Sequence, residues 1–304
     1  MTRLVLLGSK ALGLGVLRAV LDCLRPPHRL VGVLCPDDAS DARSVLSEFR
    51  DCAHQHGVAL EVAANARETR SVMERLRADT ALVAGWYQMI RLEEFPATRF
   101  FGFHASPLPK YRGNAPLVWQ ILRGESKIGV SFFQITEGMD EGGIVAQAQA
   151  PLGADETIDD ALLFVRASCR EMVHSHLVAL LDGTAALSVQ DHAQATYCGL
   201  RVAEDGRINW HRPARQVHDF VRAQTRPYPG AFSRLADGRK LIVWRSVVDP
   251  RPYFGVPGAV AERAPGAVVV TCGDGAIRIL EAEIEGAACA PVDVLVPSLR
   301  ARLS

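Results

Sequence analysis

Within FGFHASPLPKYRG, residues 101–113, one histidine follows a short apolar run and precedes two prolines and a Lys-Tyr-Arg-Gly tail. His104 there either packs or moves a proton: an imidazole with an unperturbed pKa of ~6.5 can take up and release a proton near neutral pH. Three other groups of residues offer chemistry and lead elsewhere. His54/His56 and His174/His176 are His-x-His pairs, but both fall in helical patterns, where positions i and i+2 face different ways. They read as surface or helix-end residues, and no metal is expected. The glycines of LGSKALGLG, residues 7–15, do not spell G-x-G-x-x-G, and no acidic residue ends the second apolar run to hold a ribose. A nicotinamide cofactor is therefore not expected. The seven cysteines, at 23, 35, 52, 169, 198, 272 and 289, are odd in number and form no Cys-x-x-Cys pair. That usage suits reduced thiols rather than disulfides or a zinc site.

The elements around His104 follow from hydrophobic periodicity. RLVLL (3–7), LVGVLC (30–35), a short run near 58–62, TALVAG (80–85) and FFGFH (100–104) read as strands. Helical patterns separate the first four: one after Gly8-Ser9-Lys10 to about Leu24, one over 40–56, and RETRSVMERLRAD. Strands alternating with helices predict a doubly wound, mostly parallel sheet, whose ligands lie beyond the carboxyl ends of the strands. His104 falls at such an end. Further on come a helix around 115–123, IGVSFFQI, the turn TEGMDEGG, IVAQAQ, and a long helix over 157–182. From about 203 the pattern is one helix (212–223) among short strands, with hairpin signals at ADG (236–238) and GDG (273–275). We expect a catalytic domain over 1–190 and a small β-rich, barrel-like domain over 203–304.

Bulk properties narrow the class. Hydrophobic residues make up 48% and charged residues 22% of 304, ordinary for a globular chain, and the formal net charge is zero. Residues 1–200 hold 19 Lys+Arg against 23 Asp+Glu, and 201–304 hold 15 against 11. Neither part carries the dense basic run of a nucleic-acid binder. The opening MTRLVLLGSKALGLGVL reads as strand, turn and helix rather than a leader, and no stretch reaches the ~20 apolar residues of a membrane span. A cytoplasmic location with no membrane partner is expected.

HASPLPKYRGNAP (104–116), WQILRGE (119–125), GVSFFQITEGMDEGGIVAQ (129–147), TYCGLRVAEDGRINW (196–210), RAQTRPYPGAF (222–232) and CGDGAIRI (272–279) together resemble the 10-formyltetrahydrofolate-dependent formyltransferases. The likeness covers nearly the whole chain. It is nearest to the formyltransferases of nucleotide-linked amino sugars, notably the formyltransferase domain of the 4-amino-arabinose lipid A enzyme, with methionyl-tRNA formyltransferase more distant. The resemblance implies a Rossmann-like front domain and an oligonucleotide-barrel-like rear domain, N10-formyltetrahydrofolate as co-substrate, and a primary amine as acceptor. It also implies an Asn-His-Asp set, in which His104 matches the histidine and Asp140 the aspartate. At the asparagine's place, two residues before the histidine, stands Gly102.

Such residues suit formyl transfer. Attack of an amine on a formyl carbon builds an oxyanion while the nitrogen loses a proton. His104 could take that proton, and Asp140 could steady the imidazolium or act near N10. The family's asparagine would be an oxyanion donor; losing one such donor costs roughly 2.7–4 kcal/mol. Gly102 then has three readings: a replacement donor such as a backbone N–H, a water, Gln134 or Asn114; room for a bulky acceptor; or lost catalysis. Because His104 and Asp140 are both present, we expect activity.

The resemblance also assigns AGWYQMIR (84–91) to the pterin, with Trp86, Met89 and Ile90 as candidates, and Thr136–Asp140 to closing the pocket; ordinary core is the other reading. Ser106 and Arg112 match positions beside the reacting centre, where Arg112 either holds an acidic part of the acceptor or braces the loop. Ser9 and Lys10, after the first strand, could reach a phosphate or simply make a turn. Methionyl-tRNA formyltransferases carry a basic insertion after the second strand, whereas this chain has the short, acidic CPDDASDARSVLSEF. The expected acceptor is thus a nucleotide-linked amino sugar. Methionyl-tRNA, another small amine, hydrolysis of the formyl folate, and a silent folate-binding module are the alternatives. The resemblance further suggests a homodimer.

Overall fold

The computed structural model describes every residue except Ala288, and the chain divides into two compact units. The first comprises Met1–Gly113, Gly129–Ala150 and Leu163–Cys198. Its alternating elements are β1 (Arg3–Gly8), α1 (Lys10–Cys23), β2 (Arg29–Pro36), α2 (Leu46–Gln55), β3 (Leu60–Ala63), α3 (Ala66–Leu76), β4 (Thr80–Ala84), β5 (Arg99–His104) and the two-residue β6 (Arg112–Gly113). After α4 (Pro116–Leu122) come β7 (Lys127–Ile135), β8 (Ile144–Pro151), α5 (Ile158–Leu181) and β9 (Tyr197–Cys198).

Seven strands form one sheet in the order β3-β2-β1-β4-β5-β7-β8. β1 to β5 run parallel, and β7 runs antiparallel to β5. Val5, Leu6 and Leu7 of β1 are fully buried, which explains why this strand reads as a continuous apolar run rather than an alternating one. The order reverses between β2 and β4 on either side of β1, the arrangement that opens a crevice beyond the strand ends. Strand β5 lies next to β4, and His104 is its last residue. The sequence-expected helix over 40–56 is shorter, Leu46–Gln55, because Asp41 and Asp38 hold the preceding residues in turns.

The second unit comprises Asn114–Ile128, Pro151–Leu162 and Gly199–Ser304. Here α6 (Ala214–Arg222) is followed by β10 (Ala231–Arg234), β11 (Lys240–Asp249), β12 (Val260–Ala264), β13 (Ala267–Thr271), β14 (Ala276–Ile284) and α7 (Val292–Leu295). The five strands are antiparallel in the order β10-β11-β14-β13-β12. Their inner face buries Val243, Val268, Ile277 and Ile279 with Trp210 and the apolar side of α6. The β10–β11 and β13–β14 hairpins fall at the two Asp-Gly signals, and the β12–β13 hairpin turns at Pro265-Gly266. Among the described residues, no helix is long and apolar enough to cross a membrane.

Candidate active site

His104 is 7% exposed, and both its ring nitrogens face protein groups. Nε2 lies 2.7 Å from the carbonyl oxygen of Tyr111. A carbonyl can only accept, so Nε2 carries the hydrogen and donates it. Nδ1 faces Oδ2 of Asp140 at 3.5 Å, an ion-pair distance longer than a good hydrogen bond. The Tyr111 carbonyl therefore sets the tautomer, and Nδ1 is the nitrogen left to accept a proton. The same Asp140 oxygen accepts the N–H of Gly113 at 2.8 Å.

These contacts rest on unusual backbone. Tyr111 and Asp140 both have positive φ, +61° and +48°, a conformation that non-glycine residues adopt at a cost. Gly113 has φ +100°, and a Cβ there would come 2.5 Å from the Cys198 carbonyl. Only glycine allows β6 to pair with β9, Arg112 opposite Tyr197 and Gly113 opposite Cys198.

The HASPLPKYRG loop is braced by its own polar side chains. Ser106, fully buried, donates to the Lys110 carbonyl at 2.6 Å. Ser131 of β7 donates to the Ser106 carbonyl and accepts from the Leu108 N–H. Arg112, 1% exposed, donates twice to Gln190 Oε1 (2.7 and 3.2 Å) and lies 3.4 Å from His192 Nδ1. Of the two sequence readings for Arg112, the geometry supports the brace. Ser106 likewise has its hydroxyl committed inside the loop.

Gln190 is a residue of the candidate site that sequence reasoning missed. It is buried, accepts from Arg112, and its amide nitrogen donates to the carbonyls of Asp140 and Gly142, both at 2.8 Å. One side chain thus ties the buried guanidinium to the loop carrying Asp140. Its distance along the chain, 78 residues from Arg112 and 50 from Asp140, hides it from any spacing rule. Neither its burial nor the β6–β9 pairing near it can be read from the sequence.

Gly102 pairs with Phe133 in the β5–β7 register, and Phe101 pairs with Gln134. Because side chains alternate across a strand, Gln134 points to the sheet face opposite Gly102 and His104. It cannot take the asparagine's place, which corrects that sequence reading. A Cβ on Gly102 would meet Ile135 Cδ1 at 2.9 Å and the Val83 carbonyl at 3.1 Å. The tip of the Ile135 side chain and the Val83 carbonyl crowd the Cβ position, which argues against reading Gly102 as vacant room for an acceptor.

At the ends of β1 and β2, Lys10 Nζ pairs with Asp38 at 2.6 Å and Asp41 at 2.9 Å, while Ser9 Oγ donates to Asp38 at 2.8 Å. Both candidates for a phosphate grip are therefore engaged. Burial alone would raise the Asp38 carboxyl, but hydrogen bonds from Lys10, Ser44 and Ser9 outweigh it and hold the pKa below the ordinary carboxylate value. Asp38, two residues past β2, occupies the acidic position thought missing there, yet it is saturated by these neighbours.

Trp86 and Ile90 pack against the core cluster that includes Phe95 and Phe100, as does Ile135. Met89 is 78% exposed. Two buried polar atoms in the expected pterin segments, Trp86 Nε1 and Thr136 Oγ1, have no hydrogen-bond partner among the described residues.

The formyl transferase family model matches residues 35–179, and the model of the formyl transferase C-terminal domain matches 202–297. A methionyl-tRNA formyltransferase of Sorangium cellulosum (strain So ce56) is 40% identical over 213 residues, covering 69% of this chain and 68% of that protein. The chain belongs to the formyl transferase family. The formyltransferase also matches the solved N-formyltransferase of Helicobacter canadensis in complex with folinic acid and dTDP-3-aminofucose, with a TM-score of 0.70 and 17% identity over 93% of this chain and 100% of that one. It matches HypX of Aquifex aeolicus with a TM-score of 0.66 and 20% identity over 98% of this chain, but spans only about half (49%) of HypX. At such identities these structures share the fold with this formyltransferase.

Proposed function

We propose that this formyltransferase moves a formyl group from N10-formyltetrahydrofolate to the primary amine of a nucleotide-linked amino sugar. The observation that carries the choice of acceptor is the segment between β2 and α2. It is short and acidic, and its Asp38 and Asp41 are turned onto Lys10, so it offers no cationic arm for an RNA. What supports the folate reading is that Trp86 Nε1 and Thr136 Oγ1, in the segments expected to hold it, are buried polar atoms without a partner among the described residues, and that Ile90 and Ile135 pack on the same cluster as Trp86. Bound there, the folate supplies an electrophilic formyl carbon.

The protein's part is proton management. The acceptor amine attacks the formyl carbon to give a tetrahedral oxyanion, Nδ1 of His104 takes the amine's proton, and the bond to N10 breaks as the oxyanion collapses. The cation so formed lies between two fixed acceptors, the Tyr111 carbonyl at Nε2 and the Asp140 carboxylate at Nδ1, and then returns the proton toward N10. With a glycine at 102 and Ile135 against it, no side-chain amide at that position helps the oxyanion, which makes the reaction lean more on the His104–Asp140 pair.

Methionyl-tRNA is the second reading, favoured by the 40% identical relative. A mass-spectrometric assay decides between them: purified protein with 10-formyltetrahydrofolate, dTDP-, UDP- and GDP-linked amino sugars, methionyl-tRNA, and a control without acceptor. A one-formyl mass gain on a sugar is expected. Formylation of methionyl-tRNA alone, or formate release without acceptor, would replace the proposal by the tRNA reading or by hydrolysis.

A further inference from the structure

Within the second unit, α4 and α6 border a cavity of about 750 Å³, the size of a small-molecule site. Four arginines line it, Arg123, Arg201, Arg212 and Arg215, with one acidic residue, Asp219. That carboxylate is already neutralised: Asp219 is 3% exposed and pairs with Arg222 at 2.7 Å and Arg215 at 3.0 Å. Among the described residues Arg123, Arg201 and Arg212 make no ion pair. Arg201 is half-buried and donates only to neutral oxygens, the Asp205 carbonyl at 2.8 Å and Gln224 Oε1 at 2.7 Å. Its guanidinium lies over the rings of Trp119 (5.4 Å) and Phe220 (5.9 Å).

Burial pushes the Arg201 pKa down against the opposing pull of the Asp205 carboxylate, though an arginine remains charged at neutral pH. Three cations around one cavity, none in a direct ion pair and only Arg201 feeling a nearby carboxylate, that of Asp205, raise the local potential and favour an anion. Guanidiniums present planar donor forks that suit phosphate oxygens, and Trp119 and Phe220 add flat apolar walls. We infer that this cavity binds a phosphate-bearing ligand of mononucleotide size. An RNA strand suits it less well. Backbone recognition spreads over roughly 6–10 phosphate contacts, whereas these guanidiniums converge on one hollow, and residues 201–304 carry a surplus of only four positive charges. The inference stands on this unit alone and does not depend on which amine is formylated.

The test is photo-crosslinking of the full chain with azido-ADP and azido-UDP, followed by peptide mapping, with inorganic pyrophosphate and a short single-stranded RNA as competitors. Saturable labelling within residues 117–123 or 199–224, displaced by pyrophosphate, is expected. In the Arg123→Gln/Arg212→Gln double variant, both positions being exposed, that labelling should weaken at least about tenfold, as expected for two lost charge-assisted contacts, at an unchanged melting temperature. Three results would overturn the inference: labelling confined to residues 84–113 or 129–140, labelling indifferent to the double variant, or protection by RNA with no displacement by pyrophosphate.

Discussion

Two clusters built on a carboxylate and a basic side chain stand at strand ends of the same sheet, and they differ in how completely they are satisfied. At β1 and β2, Asp38 accepts from Lys10, Ser9 and Ser44, and Lys10 reaches Asp41 as well. Every strong group there has a close partner. At β5, His104 has one nitrogen committed to a carbonyl, while the other stands 3.5 Å from Asp140. Asp140 is itself fixed by Gly113 and, through its carbonyl, by Gln190. The first cluster is closed and serves the fold. The second is held rigidly yet left incomplete at the one atom where a proton would arrive, and such an arrangement is what catalysis requires.

The contrast can be broken by substitution. The largest effect is expected from His104→Ala: turnover at least ~100-fold lower, the scale of a positioned acid–base group, with a melting temperature close to wild type. Asp140→Asn should approach it. Steady-state kinetics beside thermal melting separates the two readouts. Near-wild-type turnover in both variants would remove the proton-transfer role.

Next in size is Gln190. Gln190→Ala should lower kcat about tenfold, the lower end of what misplacing a catalytic group costs, while KM for the folate stays nearly constant. Gln190→Glu keeps an acceptor for Arg112 but loses the amide donor to Asp140 and Gly142. If Gln190 positions Asp140, both variants lose kcat; if it only neutralises Arg112, the glutamate restores full turnover.

Gly102→Asn sharpens the reading of the missing amide. The new Cβ must displace Ile135, an overpacking that costs about 1–3 kcal/mol, so stability should fall with no gain in rate. Adding Ile135→Ala should recover the stability. A faster single variant would show that the site lacks a donor it can use.

The smallest effect on rate belongs to the closed cluster. Asp38→Asn should leave kcat near wild type and lower stability by about 1–3 kcal/mol, the cost of weakening a buried hydrogen-bonded charge. Its pH dependence has a definite sign. The folded pKa of Asp38 lies below its unfolded value of ~3.9. The stability it contributes is therefore present above that pH and is lost as pH falls toward the folded pKa. Acid unfolding of Asp38→Asn should lack that component.

The parallel sheet was legible because buried strands carry apolar runs and the helices between them carry their own period. His104 was legible because a strand end beside Pro-rich chain is where such sheets bind ligands, and Asp140 through the family motif. Gln190 and the carbonyl of Tyr111 were not. The first is brought in by a two-residue strand pairing across more than eighty positions, and the second acts through backbone that every residue possesses. The engagement of Lys10 was also hidden, since Asp38 reaches it only after β2 ends and the chain turns. Gly102 was legible as an anomaly, but its crowding by Ile135 depends on strand register, which sequence alone does not fix.

The most direct test of the account is single-turnover transfer of a [13C]formyl group from 10-formyltetrahydrofolate to a dTDP-linked amino sugar, run with wild type and His104→Ala at matched folate occupancy. The account predicts a formylated sugar from wild type and a rate at least ~100-fold lower from the variant. Equal rates in the two proteins, or no transfer to any amino sugar while methionyl-tRNA is formylated, would contradict it.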